Sequence, residues 1–139
     1  MLKKTNKTRG QIESEISEAF IKFEKEYMGR GPNETKTFII DDMILVRHRG
    51  VLTPAEKHLA KGPDPQKGCA LIKQVRKELI ENARSLLENL IHDILGNIKP
   101  VSMHMDISTL TGEKIIIFTF EKTIKIESEE DLHSPLRMK

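Results

Sequence analysis

The spacing of apolar residues along the 139-residue chain changes twice, each time from the three-to-four spacing of an amphipathic helix to the alternation of a β-strand. Helical spacing covers residues 11–28 and 69–95, and alternating spacing covers residues 35–49 and 98–120. In each half a glycine follows the helix, and a turn divides the alternating region into a hairpin. The order predicts an α+β fold: a four-stranded antiparallel sheet made of two hairpins, each preceded by a helix, with the helices packed on one face.

The first predicted hairpin carries apolar side chains on both of its faces. If Asp41-Asp42 is a two-residue turn, Phe38 pairs with Leu45 on one face and Ile39 pairs with Ile44 on the other. A helix can cover one of these faces, so the other needs a further segment or a partner subunit. We therefore predict a homo-oligomer, with a dimer favoured, that associates through an apolar sheet face or through the long helix.

The two halves are joined by a short helix and a loop. Thr53-Pro54-Ala55-Glu56 has the residues of a capping box with proline at the first helical position, and it predicts a short helix through Ala60. Residues 62–68 are rich in glycine and proline and predict an exposed loop. The long helix is predicted from Cys69 to Leu95. In the first helix, Glu24 is assigned to the polar face.

The length and the ends of the chain predict one domain with two tails. Residues 11–126 are expected to form a single domain, flanked by a flexible basic tail over 1–10 and a flexible acidic tail over 127–139. There is one cysteine and therefore no internal disulfide, which favours a reducing cytoplasm. The apolar runs are much shorter than the roughly 20 residues that a membrane-spanning helix needs, so we expect a soluble cytoplasmic protein.

The composition favours neither a nucleic-acid-binding protein nor an enzyme. Net charge is only +2, and Phe38, Phe118 and Phe120 are expected in the core, where they cannot stack on bases. His104 and Asp106 share a strand face but supply only two metal ligands. No Gly-x-Ser-x-Gly, Walker or dinucleotide-binding motif occurs. We expect no catalytic residues, no metal, no cofactor and no nucleic-acid partner.

Four residues are candidates for binding a small anion. Arg30 lies between two glycines, where backbone N–H groups can form a nest, and Arg47 ends a strand shortly before the Thr53 helix start. A guanidinium beside a helix N-terminus favours negative charge, and Thr53 and Glu56 complete the candidate set. The alternative interpretation is that the Arg30 segment is a helix C-cap with a turn and that Thr53 and Glu56 only cap their helix.

The chain contains three further motifs: Tyr27-Met28-Gly29-Arg30-Gly31-Pro32, Val46-Arg47…Gly50-Val51-Leu52-Thr53-Pro54-Ala55-Glu56-Lys57, and Asp106-Ile107-Ser108…Thr111-Gly112-Glu113 through Phe118. Together they resemble the motifs of a bacterial family of small proteins once classed as of unknown function, named for the C component of the Mps sodium-translocating, membrane-potential-generating system. The likeness to this MpsC-like family spans about residues 11–122.

The resemblance implies a soluble accessory subunit that works with a membrane transport protein in ion or bicarbonate uptake. It supplies no catalytic residues. The leading functional prediction is therefore a non-enzymatic interaction or regulatory subunit, and the alternative is a small-anion sensor for bicarbonate or phosphate.

Overall fold

The computed structural model describes residues 7–96 and 98–126 and contains four helices and four strands within them. The elements are α1 (Arg9–Tyr27), β1 (Glu34–Ile40), β2 (Met43–Arg49), α2 (Pro54–Ala60), α3 (Pro65–Asn82), α4 (Arg84–Leu95), β3 (Ser102–Ile107) and β4 (Lys114–Thr119). The first helix begins at Arg9 because Thr8 and Gln11 form a capping box. The predicted tails lie outside the described residues over 1–6 and 127–139.

The four strands form one antiparallel sheet with the order β1-β2-β4-β3. The first hairpin has the predicted register, with Phe38 opposite Leu45 and Ile39 opposite Ile44. The turn is tight because Asp41 adopts a positive φ of 56°. The predicted α+β class and the sheet of two hairpins, each preceded by a helix, are confirmed.

The helices pack on one face of the sheet, the inner face. The main core joins α1 and α4 to this face through Ile16, Phe20, Leu87, Ile116 and Phe118, all fully buried. A smaller cluster of Val51, Leu52, Ile72 and Ile107 lies beneath α2 and α3. Burial of apolar area on this one face is the main stabilising term of the fold.

The predicted long helix is two helices, and the predicted loop before it is shorter. Helix α3 already starts at Pro65 because Asp64 accepts a hydrogen bond from the Lys67 N–H. The break lies at Ala83, where φ is −94° and ψ is 5°. This change of direction lets α3 pack on β3 while α4 packs on α1. Apolar periodicity continues through the break, so the sequence pattern did not show it.

Two side-chain placements and the end of the last strand differ from what the sequence pattern indicates. Glu24 is buried at 1% exposure rather than lying on a polar face, whereas Phe38 is 41% exposed rather than in the core. The apolar alternation of the last strand continues to Ile124 and Ile126, but the strand itself ends at Thr119. Both isoleucines are nevertheless buried in the main core, and the Ile124 N–H donates to the Asp41 carbonyl.

Candidate functional site

The face of the sheet opposite the helices, the outer face, is a partly apolar surface that the described helices leave uncovered. Strand alternation and register place fourteen side chains there: Glu34, Lys36, Phe38, Ile40, Met43, Leu45, Arg47, Arg49, Ser102, His104, Asp106, Ile115, Ile117 and Thr119. All of them are half-buried or exposed, while their inner-face neighbours Ile44, Val46, Ile116 and Phe118 are fully buried.

The centre of the outer face is apolar. Leu45 on β2 and Ile117 on β4 are directly opposite each other, and Phe38 on β1 extends the same row. Phe38 and Ile40 are 41% and 47% exposed. A contiguous patch of this kind on a sheet face is typical of a surface that another protein covers. The structure thus has the two-sided apolar hairpin that the sequence predicted, with a helix on only one side.

Charges lie at the end of the outer face where β2 ends and β4 begins. The Arg47 Nε atom donates to the Glu113 Oε1 atom at 2.6 Å, and both side chains are partly buried. Glu34 lies 3.6 Å from Arg49 and 3.7 Å from Lys36. The β1–β2 side of this end is mainly basic, whereas Asp106 and Glu113 make the β3–β4 side acidic.

A buried charge cluster lies on the inner face beneath the same end of the sheet. The Lys114 ammonium forms an ion pair with the Glu24 carboxylate, and neither side chain is more than 1% exposed. The His48 Nε2 atom lies 4.0 Å from the Glu24 Oε2 atom, and Thr35 Oγ1 contacts His48 Nδ1 at 2.7 Å. The ion pair joins α1 to β4, and the hydrogen bond between Thr35 and His48 joins β1 to β2 beside it.

Burial determines the protonation of this cluster. Burial, and to a smaller extent the nearby Lys114 ammonium, lowers the pKa of His48 to about 3, so the imidazole is neutral at pH 7. Burial also lowers the pKa of Lys114 from its ordinary value, against the opposing effect of the Glu24 carboxylate. The His48 Nε2 atom has no hydrogen-bond partner among the described residues.

A second ion pair fixes the segment that connects β2 to α2. The buried Arg76 guanidinium donates to both carboxylate oxygens of Glu56, at 2.9 and 2.6 Å, and to the Val51 carbonyl at 2.8 Å. Burial alone would raise the pKa of Glu56, but the hydrogen bonds from Arg76 and the Thr53 N–H outweigh it and lower that pKa. This pair holds α2 against α3.

The four anion-binding candidates are all hydrogen-bonded to other groups of the chain. Arg30 donates to the Gly50 and Leu52 carbonyls at 3.0 and 2.8 Å, and Arg47 binds Glu113. Thr53 and Glu56 form the predicted capping box of α2. Each candidate side chain thus has a partner within the protein, and the small-anion sensor stays a prediction.

An open cleft of about 490 Å³ lies near these residues, between α2 and the β3–β4 turn. Lys57 and Lys61 lie on one wall, and Thr109 and Thr111 lie on the other. The half-buried Cys69 thiol accepts a hydrogen bond from Thr109 Oγ1 at 3.1 Å. Across residues 7–96 and 98–126, no three His, Cys, Asp or Glu side chains are grouped as metal ligands. His104 and Asp106 lie on the outer face.

Sequence reasoning missed the buried charges, although the sequence contains signals for them. Lys114 is in phase with Ile116 and Phe118, so alternation places it on the inner face. Glu24 follows Phe20 by four residues and therefore lies on the buried stripe of α1. The sequence-based prediction instead followed the general rule that charged residues are solvent-exposed.

Comparisons with known proteins give one family. The family model described as "Na+-translocating membrane potential-generating system (MpsC)" matches residues 8–122. A relative from Bacillus subtilis (strain 168), "Uncharacterized protein YbcI", is 44% identical over 112 residues, which cover 81% of this chain and 87% of the relative. No solved structure matches the chain. None of the described helices is both long and apolar enough to cross a bilayer.

Proposed function

The chain belongs to the MpsC family of the Na+-translocating membrane-potential-generating system, and from that premise we propose that it is a non-enzymatic interaction subunit that acts through the outer face of its sheet. The observation that carries the proposal is the apolar centre of this face, around Leu45 and Ile117, which the helices leave uncovered. In this proposal the subunit works in the cytoplasm, and the membrane transport protein of the system is its further partner.

Self-association through the outer face is the form of this proposal that can be tested directly. Burying an apolar patch between two copies is favourable, because removing apolar surface from water contributes a free energy of about 25 cal/mol per Å². We expect light scattering on the full chain to give a mass above that of the 15.9 kDa monomer, and the mass to rise with protein concentration.

A pair of matched variants identifies the surface. Leu45→Glu places a carboxylate in the apolar centre of the outer face, and we expect it to give a monomer that remains folded. Leu86→Glu is the control, because it makes the same change at a leucine that is 49% exposed on the outside of α4, away from the sheet. The control should self-associate as the wild type does. A wild-type mass equal to the monomer at all concentrations, or equal effects of both variants, contradicts the proposal.

The link to a membrane system needs its own measurement. Full-length wild type and Leu45→Glu are each mixed with membranes from cells that contain the translocation system and with membranes that lack it. Greater sedimentation of the wild type with the first membranes, lost in Leu45→Glu and kept in Leu86→Glu, supports the outer face as the contact with that system. Equal sedimentation with both membranes argues against that association.

A further inference from the structure

We propose that the outer face binds a second copy of the chain about a two-fold axis that runs parallel to the strands, between β2 and β4. This inference rests on the proposed function, because it names the occupant and the geometry of the same surface. With this axis, β1 of one copy faces β3 of the other, and β2 faces β4 of the other. The contact is isologous, so each opposed pair occurs twice.

Charge complementarity selects this arrangement. Arg47 and Glu113 neutralise each other within one copy, so the charges that distinguish the two sides of this end are Lys36 and Arg49 against the single acid Glu34 on the β1–β2 side, and Asp106 on the β3–β4 side. The parallel axis lays the basic side of each copy over the acidic side of the other. Opposite potentials across an interface fix its register.

Lys36 on β1 and Asp106 on β3 lie at opposite edges of the sheet, each at the charged end of the outer face. They share one row across the sheet, in which Lys36 pairs with Arg47, Arg47 with Ile115, and Ile115 with Asp106. The two-fold axis therefore places Lys36 over Asp106 of the second copy. Packed sheets lie about 10 Å apart and are rotated by about 30°, and a lysine side chain is long enough to span that offset.

Both corner residues remain available for this contact. Lys36 is 3.7 Å from Glu34, and Asp106 is 3.8 Å from Lys73. These distances are longer than the roughly 2.7–2.9 Å of a direct hydrogen-bonded ion pair. The side chains of Lys36 and Asp106 are 59% and 84% exposed.

The apolar centre of the face also matches about this axis. Leu45 of one copy lies over Ile117 of the other, and Phe38 lies over His104. A two-fold axis perpendicular to the strands would instead place Arg47 over Met43 and Lys36 over Ile40 of the second copy. That arrangement buries two charged residues of each copy against apolar ones and gives Lys36 no acid, whereas the parallel axis places only Arg47 over an apolar residue, Ile115, and Arg47 keeps its Glu113 partner.

The size of the face predicts a reversible dimer. Four strands about 4.8 Å apart and six residues long cover about 20 by 20 Å, which is roughly 400 Å² per copy before side-chain relief is counted. Stable interfaces bury about 800 Å² per partner. We therefore expect a dimer that dissociates on dilution.

A mixing experiment with the full chain tests the geometry. Lys36→Glu creates an acidic corner opposite Asp106, and Asp106→Lys creates a basic corner opposite Lys36, so each variant alone should dimerise at least tenfold more weakly than the wild type. An equimolar mixture restores opposite charges at both corners of the heterodimer. We expect analytical ultracentrifugation to show that the mixture dimerises within about threefold of the wild type.

The outcomes separate this inference from the proposed function. Rescue in the mixture, with loss in each single variant, supports the parallel axis. If the mixture stays monomeric while Leu45→Glu still abolishes the wild-type dimer, the geometry is wrong and the surface assignment stands. Glu26→Lys, a charge reversal at an exposed position of α1 on the helical side of the sheet, is the control and should leave the dimer unchanged. A wild type that is monomeric throughout overturns the second copy as occupant.

Discussion

Replacing Lys114 with methionine leaves the Glu24 carboxylate buried and without its ammonium partner. The two side chains are 0% and 1% exposed, so water cannot take the place of the lost charge. Breaking a buried ion pair by removing one partner costs about 3–5 kcal/mol. We therefore expect Lys114→Met to lose about 3–5 kcal/mol of the free energy of unfolding, a large fraction of the roughly 5–15 kcal/mol typical of a domain.

A double-mutant cycle measures the ion pair itself. Glu24→Leu leaves the Lys114 ammonium unpaired and should cost a similar amount, whereas Lys114→Met with Glu24→Leu replaces both charges by apolar groups of similar volume. Such a replacement is often neutral or stabilising. The double variant should be more stable than either single variant, with a coupling energy of about 3 kcal/mol.

Urea denaturation at pH 7.5 and one fixed protein concentration provides these free energies. Lys73→Met is the matched control, because Lys73 is half exposed and lies 3.8 Å from Asp106. An exposed ion pair contributes about 0–1 kcal/mol, so this control should change stability little. Additive losses in the double variant would refute the reasoning, as would a loss below about 1 kcal/mol in Lys114→Met.

The remaining predictions concern pH, packing and helix capping. The pKa of His48 is about 3 in the folded chain and ordinarily 6.5, so the unfolded state binds the extra proton between these values and stability falls as the pH falls from 6.5. We expect a slope of up to about 1.4 kcal/mol per pH unit from this group, absent in His48→Asn, in urea titrations at pH 7, 6 and 5. Gly68→Ala should destabilise strongly, because a Cβ atom there would lie 2.1 Å from the Leu59 carbonyl oxygen, while Gly10→Ala has room and should be neutral or stabilising in thermal melts. Thr53→Ala removes the side-chain acceptor of the α2 capping box and should lower the free energy of unfolding by about 1 kcal/mol; an unchanged urea midpoint would show that the cap contributes nothing.

Several parts of the fold follow from the sequence because short-range interactions determine them. The register of the first hairpin follows from its two-residue turn at Asp41-Asp42. The start of α2 follows from the pairing of Thr53 with Glu56, three residues apart. The order of the elements was sufficient to predict a four-stranded antiparallel sheet with helices on one face.

The candidate site was predictable only in part. Apolar residues on both sides of the first hairpin indicated that a second face needs cover, and that face is the outer face. The exposure of Phe38 was not predicted, because an aromatic residue in a strand is more often buried. The apolar periodicity also continued through Ala83, so the change of direction between α3 and α4 could not be read from it.

By itself the sequence determined the periodic elements, the turns and the caps, since each depends on residues a few positions apart. Only the tertiary structure decided that Lys114 meets Glu24, 90 positions earlier in the chain, in the interior. It also decided that β2 pairs with β4 and so forms a continuous apolar row from Phe38 through Leu45 to Ile117. The physical reason is that burial depends on how whole elements pack against one another, which no local spacing determines.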